Sequence, residues 1–136
     1  MISADGSIVA FESSATDLTD DSTSSFRDVF VRNFDTGETS LVSINFDGNG
    51  SGIGGSSSEP VISADGNVIA FTSSANNLLP GISGSQVYVR NLNETTTTLV
   101  SVSATDPTVG SNGSKNDVVI SDDGSVVAFS LSLIHI

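Results

Sequence analysis

A ten-residue pattern that occurs three times constrains the fold of this chain more than any other feature. It reads ISADGSIVAF at residues 2–11, ISADGNVIAF at 62–71 and ISDDGSVVAF at 120–129. The copies begin 60 and then 58 residues apart. Self-similarity at so long and so regular a period indicates a repeat architecture. The chain is therefore predicted to be a row of equivalent units.

Each copy of the pattern predicts a β-hairpin. Asp-Gly between two apolar runs is a strong hairpin signal, because a two-residue type I′ turn needs positive φ at both central residues. We expect such turns at Asp5-Gly6, Asp65-Gly66 and Asp123-Gly124, with the aspartates making the turn rather than binding a metal or acting as acid catalysts. The apolar run after each turn does not alternate with polar residues, which predicts a strand covered on both faces.

Two further strands are predicted in each unit. Residues 28–33 (DVFVRN) match 86–91 (QVYVRN), and residues 39–44 (TSLVSI) match 97–102 (TTLVSV). These segments are rich in β-branched and aromatic residues, and turn residues separate them. No segment of the sequence shows the 3.6-residue apolar period of an amphipathic helix. The chain is therefore predicted to be all-β, with four short strands in each unit.

Four antiparallel strands with apolar residues on both faces are typical of a β-propeller blade, because each blade packs between two neighbours. The predicted fold is a partial β-propeller of four-stranded antiparallel blades, with about two full blades and the start of a third. Blade 1, its first strand incomplete, takes residues 1–58 with its connecting loop, blade 2 takes 59–116 with its loop, and blade 3 begins at 117–130. A parallel β-helix is the alternative, although it does not need a hairpin in every copy.

The last six residues, LSLIHI at 131–136, depart from the pattern of the other copies. They resemble the translated end of an adapter used in preparing sequencing libraries. We expect this hexapeptide to be such a scar and exclude it from fold reasoning. Its exclusion removes His135, the only histidine of the sequence, from any catalytic hypothesis.

Composition restricts the classes of function. The formal net charge is −12, with only four Lys and Arg residues, and this argues against nucleic acid and anionic membrane surfaces as partners. No apolar run approaches the roughly 20 residues of a membrane-spanning helix, so membrane insertion is not expected. The sequence contains no cysteine and no G-x-S-x-G motif for a nucleophile, so an enzyme is not expected.

The order of the motifs carries a family resemblance. A strand, S-x-D-G, an apolar strand ending in Ala-Phe, a polar loop, D-V-F-V-R, a turn and a Thr-rich strand together resemble the TolB-like β-propeller repeat, a WD-repeat-like unit of bacterial exported and cell-envelope proteins. The resemblance covers nearly the whole chain apart from the last six residues. It implies a periplasmic or extracellular, non-catalytic scaffold that binds a protein partner, without identifying that partner.

The resemblance leaves one alternative function open. In this alternative, the chain is the propeller domain of a larger prolyl-oligopeptidase-like hydrolase, and the catalytic domain lies outside these residues. Propellers close with about four to eight blades, so an arc of fewer blades leaves apolar outer faces uncovered. We therefore expect the chain in isolation to self-associate through its unclosed blades.

Acidic residues cluster in one loop of the first unit. Closely spaced carboxylates with Ser and Thr oxygens between them suit Ca²⁺, which takes six to eight oxygen ligands. We place weak calcium binding at Asp20, Asp21 and Asp28, with Asp17 nearby. The matching loop of the second unit, residues 80–86, carries no acid, so a solvated acidic loop without an ion is the alternative.

Glycine-rich segments connect the units at residues 47–59 and 105–116. Their glycines superficially suggest a nucleotide-binding loop, but no Lys-Ser or Lys-Thr pair follows them. We interpret these segments as surface loops.

Overall fold

The structure, a computed structural model, describes residues 1–132, and these residues contain nine β-strands. The strands are β1 Ile8–Ser13, β2 Asp28–Asn33, β3 Glu38–Leu41, β4 Ser57–Ile62, β5 Val68–Ser73, β6 Gln86–Asn91, β7 Thr96–Leu99, β8 Ser114–Ile120 and β9 Val127–Ser132. The all-β prediction is confirmed for these residues. None of them belongs to a helix of the length and hydrophobicity needed to cross a membrane. Most of the predicted scar, including His135, lies outside the described residues.

The strands form three antiparallel sheets in chain order: a first sheet β1-β2-β3, a second sheet β4-β5-β6-β7 and a third sheet β8-β9. Every pair of the nine described strands is antiparallel and joins strands of one unit. A parallel β-helix would instead pair equivalent strands of successive units in parallel. That alternative is therefore wrong for the described strands.

The repeated hairpins turn through four residues. In the first copy the Gly6 N–H donates to the Ser3 carbonyl at 3.0 Å, and the Ser3 N–H donates to the Ile8 carbonyl at 2.8 Å. Gly6 has φ +77°, whereas Asp5 is not among the residues with positive φ. The turn lies where it was predicted, but the two-residue type I′ geometry is wrong. The other two copies form the same turn.

The fourth strand of each unit ends earlier than predicted. In the second unit β7 stops at Leu99, because the Val100 and Ser101 N–H groups both donate to the Val87 carbonyl. The Ser101 hydroxyl then accepts the Val87 N–H at 2.9 Å. A side chain thus replaces the next ladder bond and turns the backbone out of the sheet.

Successive side chains of a strand alternate between the two faces of its sheet. In these sheets one face carries the larger apolar side chains and the other the smaller ones. The small face of the first sheet packs on the large face of the second, in a core whose buried members include Ala10, Val29, Val31, Val42, Ile69, Phe71 and Tyr88. The small face of the second sheet packs in turn on the third, through a cluster that includes Ala70, Val87, Val118, Val127 and Phe129. One mode of packing therefore serves both junctions.

Some outer positions of this stack are exposed, although Phe30 and Leu41 on the outer face of the first sheet are buried. Phe34, directly after β2, is 64% exposed, whereas Leu92, its equivalent in the second unit, packs against the core. Val119 is 57% exposed on the third sheet, whereas its equivalent Val61 packs against the second cluster. The same positions are thus covered where a neighbouring sheet is present and uncovered where none is.

A backbone hydrogen bond repeats between neighbouring sheets. The Ala4 N–H donates to the Ala64 carbonyl at 2.9 Å, and the Ala64 N–H donates to the Asp122 carbonyl at 2.8 Å. These three residues hold the same place in the three hairpin turns. Successive units are therefore joined by the same contact at their turns.

Candidate functional site

The structure separates the three residues predicted to bind calcium. Asp28 is the first residue of β2 and is only 2% exposed, whereas Asp20 lies exposed in the preceding loop and Asp21 is half-buried. Within residues 1–132 no group of three or more acidic, His or Cys side chains is close enough to hold a metal ion. The geometry gives calcium binding no support, and it stays a prediction.

Asp28 is held instead by hydroxyl groups. The Ser43 hydroxyl donates to Asp28 Oδ1 at 2.9 Å, and the same hydroxyl accepts the Val29 N–H at 3.1 Å. Burial raises the pKa of the Asp28 carboxyl, and hydrogen bonds from Ser43 and Ser51 oppose that effect. Asp28 therefore ties β2 to the end of β3 and to the connecting segment that follows.

In the second unit an uncharged side chain makes the equivalent hydrogen bond. Gln86 stands at the position of Asp28, and its Oε1 accepts the Ser101 hydroxyl at 2.6 Å. Its Nε2 donates to the Ser111 carbonyl at 3.2 Å. The longer side chain fits because Gly110 stands where the first unit has Ser51, and a Cβ there would collide with the amide of Gln86. Sequence reasoning missed this exchange, since its partners lie more than ten residues away.

The repeated aspartates serve the turns. Asp5 Oδ1 accepts the Ser7 N–H at 2.9 Å and the Ser3 hydroxyl at 2.8 Å. Hydrogen bonds from Ser7, with a smaller contribution from Ser3, lower the pKa of Asp5 to about 2. The pKa of Asp123 is also lowered to about 2, first by the Ser121 hydroxyl. The prediction that these carboxylates make the turns is confirmed.

Two clefts lie at equivalent places in the first and second units. The cleft of the first unit has a volume of about 410 Å³ and that of the second about 380 Å³. Arg32 donates to Thr39 Oγ1 at 3.0 Å in the first, and Arg90 donates to Thr97 Oγ1 at 3.1 Å in the second. The shared lining positions are Leu18 and Leu78, Thr19 and Leu79, Arg32 and Arg90, Gly37 and Thr95, and Thr39 and Thr97. The repeat thus builds one kind of cleft twice.

The second cleft is partly covered by the connecting segment of the first unit. Ile44, Asn45, Phe46 and Gly48 contribute to its lining. The Phe46 N–H donates to the Asn77 carbonyl at 3.0 Å, and the Ile53 N–H donates to Asn77 Oδ1 at 2.8 Å. In the first unit Asp17 stands at the position of Asn77 and is exposed.

Glycines allow this segment to approach closely. A Cβ at Gly52 would lie 2.6 Å from the Ala75 Cβ, and a Cβ at Gly54 would collide with the Asn76 side chain. Gly52 is buried. Interpreting the glycine-rich connection as a surface loop is therefore incomplete, because part of it is a contact between units that requires residues without a side chain.

The cleft lies beside a surface that contacts a polypeptide segment. Its rim offers a carbonyl and a side-chain oxygen to backbone N–H groups, and in the second unit it already receives such groups from a neighbouring segment. Comparison with known proteins adds no family to this geometry. The chain matches no protein-family model, and no curated protein matches its sequence.

Proposed function

We propose that the three sheets are blades of a TolB-like β-propeller that acts outside the cytoplasm as a non-catalytic scaffold for protein binding. The observation that carries this proposal is the backbone bond from Ala4 to Ala64 and its repetition from Ala64 to Asp122. A contact that repeats head to tail generates a ring when its rotation closes. The three turns then lie around the axis of that ring.

The packing of the sheets supports the same arrangement. Strands pair only within a sheet, and sheets meet through complementary small and large faces. Radial repetition of four-stranded sheets, each in contact with two neighbours, is how propellers bury both faces of a blade. The uncovered positions Phe34 and Val119 are the places where further blades would pack.

A role in protein binding is supported by what the clefts accept. A segment of the chain itself packs beside the second cleft, and two of its backbone N–H groups donate to Asn77. The three repeated aspartates, Asp5, Asp65 and Asp123, accept hydrogen bonds within their own turns. The net charge of −12 favours a protein partner over nucleic acid or an anionic membrane surface. The extracytoplasmic location follows from the family resemblance.

Tandem chains of the second unit, residues 59–116, test this proposal. We expect the radius of gyration from small-angle scattering to stop rising at one copy number between about four and eight, where the ring closes. The denaturation midpoint should rise at the same copy number, because closure covers the last apolar faces. A radius of gyration that rises steadily with copy number would contradict the ring, and hydrolysis of fluorogenic ester or peptide substrates by the closed chain would contradict the scaffold.

A further inference from the structure

We propose that the cleft beside Asp17 is a docking site for a glycine-rich connecting segment of another repeat unit, one that is neutral or basic. The inference deepens the proposed function, because it names where a protein partner binds and what chemistry that partner presents. It rests on the equivalence of the two clefts.

The loops that form the two clefts begin in the same way. The Ala15 N–H donates to the Ser13 hydroxyl at 3.0 Å, and the Ala75 N–H donates to the Ser73 hydroxyl at 3.1 Å. The opposite walls match as well, since the arginine to threonine bond is 3.0 Å in one cleft and 3.1 Å in the other. The first cleft therefore has the same frame as the second, beside which a connecting segment packs.

The segment that borders the second cleft defines the chemistry that the first can bind. It is a segment folded back on itself by an antiparallel bridge between Ile44 and Ser51, and its N–H groups at Phe46 and Ile53 bond to Asn77. Asp17 at the equivalent position offers a backbone carbonyl and two carboxylate oxygens as acceptors, and bonds to a charged acceptor are stronger than bonds to an amide. Glycines are needed where the segment crosses the loop, as Gly52 and Gly54 show in the second unit.

Charge distinguishes the two clefts. Arg90 is the only charged residue that lines the second cleft. The connecting segment beside that cleft carries Asp47. Three carboxylates, those of Asp17, Asp20 and Glu38, line the first cleft beside the single cation of Arg32. Because charges across an interface are arranged to be complementary, the occupant of the first cleft carries neutral or basic residues where the known segment has an acid.

A synthetic peptide with the sequence of residues 43–55 and the change Asp47→Lys tests the inference against the ¹⁵N-labelled full chain. We expect saturable amide shifts confined to Asp17, Thr19, Arg32 and Thr39. The peptide with the natural Asp47 should bind about threefold more weakly, the scale of one exposed charge pair. A peptide that also carries Gly52→Val should give no shifts, because its side chain would collide with the loop.

Variants of the chain identify the acceptor. Asp17→Ala should weaken peptide binding by about fivefold, the effect of one lost hydrogen bond, while Asp17→Asn retains most of it. Asp35→Ala, in an exposed turn outside the cleft lining, is the matched control and should change nothing. Shifts around Asn77 in place of Asp17, equal binding by Asp17→Ala, or the absence of saturable shifts would overturn the proposal. Peptide binding does not depend on ring closure in tandem chains, so the two proposals fail separately.

Discussion

Gln86 takes in the second unit the place that Asp28 takes in the first, and each accepts a hydrogen bond from a serine at the end of the next strand. The amide satisfies its donors and acceptors with neighbouring carbonyl and hydroxyl groups. The carboxylate is buried and makes no ion pair within residues 1–132, which is costly. The two units thus allow a charged and an uncharged side chain to be compared at one buried position.

Asp28→Asn should stabilise the chain at neutral pH by on the order of 1 kcal/mol, because it keeps an acceptor for Ser43 and removes a buried charge. The sign of the pH dependence follows from the raised pKa of Asp28 in the folded state. Its stabilising contribution is complete below the unfolded pKa, near 3.8, and is lost as pH rises through the folded pKa. The advantage of Asp28→Asn in urea unfolding should therefore be larger at pH 7 than at pH 4. Equal effects at both pH values, or the same gain from the exposed Asp35→Asn, would contradict this.

The turn aspartates should act in the opposite direction. The pKa values of Asp5 and Asp123 are lowered to about 2 by hydrogen bonds to the folded turns. Their contribution is present above the unfolded value of 3.8 and is lost as pH falls towards 2. The double variant Asp5→Asn with Asp123→Asn should lose less stability than the parent chain between pH 4 and pH 2. An identical acid titration of the two proteins by circular dichroism would refute this.

The β-turn after the third strand of each unit offers a test of backbone strain. Thr95 has φ +55°, in the left-handed region, and Gly37 stands at the same position of the first unit with φ +76°. A non-glycine residue there costs about 1–2 kcal/mol, part of which glycine loses again through its greater freedom in the unfolded chain. Thr95→Gly should therefore raise stability by about 0.5–1 kcal/mol, and the reciprocal Gly37→Thr should lower it. Urea midpoints that move in the same direction for both variants would contradict this.

Sequence patterns predicted the strands and the places of the turns, because both depend on neighbouring residues. The predicted type I′ geometry was wrong because the backbone of Asp5 is set by hydrogen bonds of its side chain to Ser3 and Ser7. A rule based on the Asp-Gly dipeptide does not include these bonds. The role of Asp28 was out of reach because Ser43 lies fifteen residues away. The acidic composition of the loop favours interpreting Asp28 as an ion ligand, whereas the packing of the folded chain determines which groups lie beside its carboxylate.

The contact between units at Gly52 should be intolerant of any side chain. Gly52 is buried, and a Cβ there would lie 2.6 Å from Ala75 and 3.0 Å from Leu78. Gly52→Val should therefore cost about 1–3 kcal/mol through overpacking and should raise hydrogen exchange at the Phe46 amide. Gly48→Ala, where a Cβ meets nothing within 4 Å, is the control; its positive φ adds backbone strain without opening the contact. Unchanged exchange at Phe46 in Gly52→Val would show that the contact does not depend on this glycine.

Association of the chain with itself should depend on the uncovered sheet faces. Phe34 is 64% exposed, at a position that is covered in the second unit, and burying a phenylalanine stabilises an interface by about 1.5–3 kcal/mol. Phe34→Lys should therefore shift the chain towards monomer in light scattering coupled to size-exclusion chromatography, without lowering its urea midpoint, because a charge on a pairing surface opposes association. Thr36→Lys adds the same charge in the neighbouring exposed turn and should leave the association unchanged. If both variants dissociate the chain equally, net charge rather than the apolar face governs its assembly.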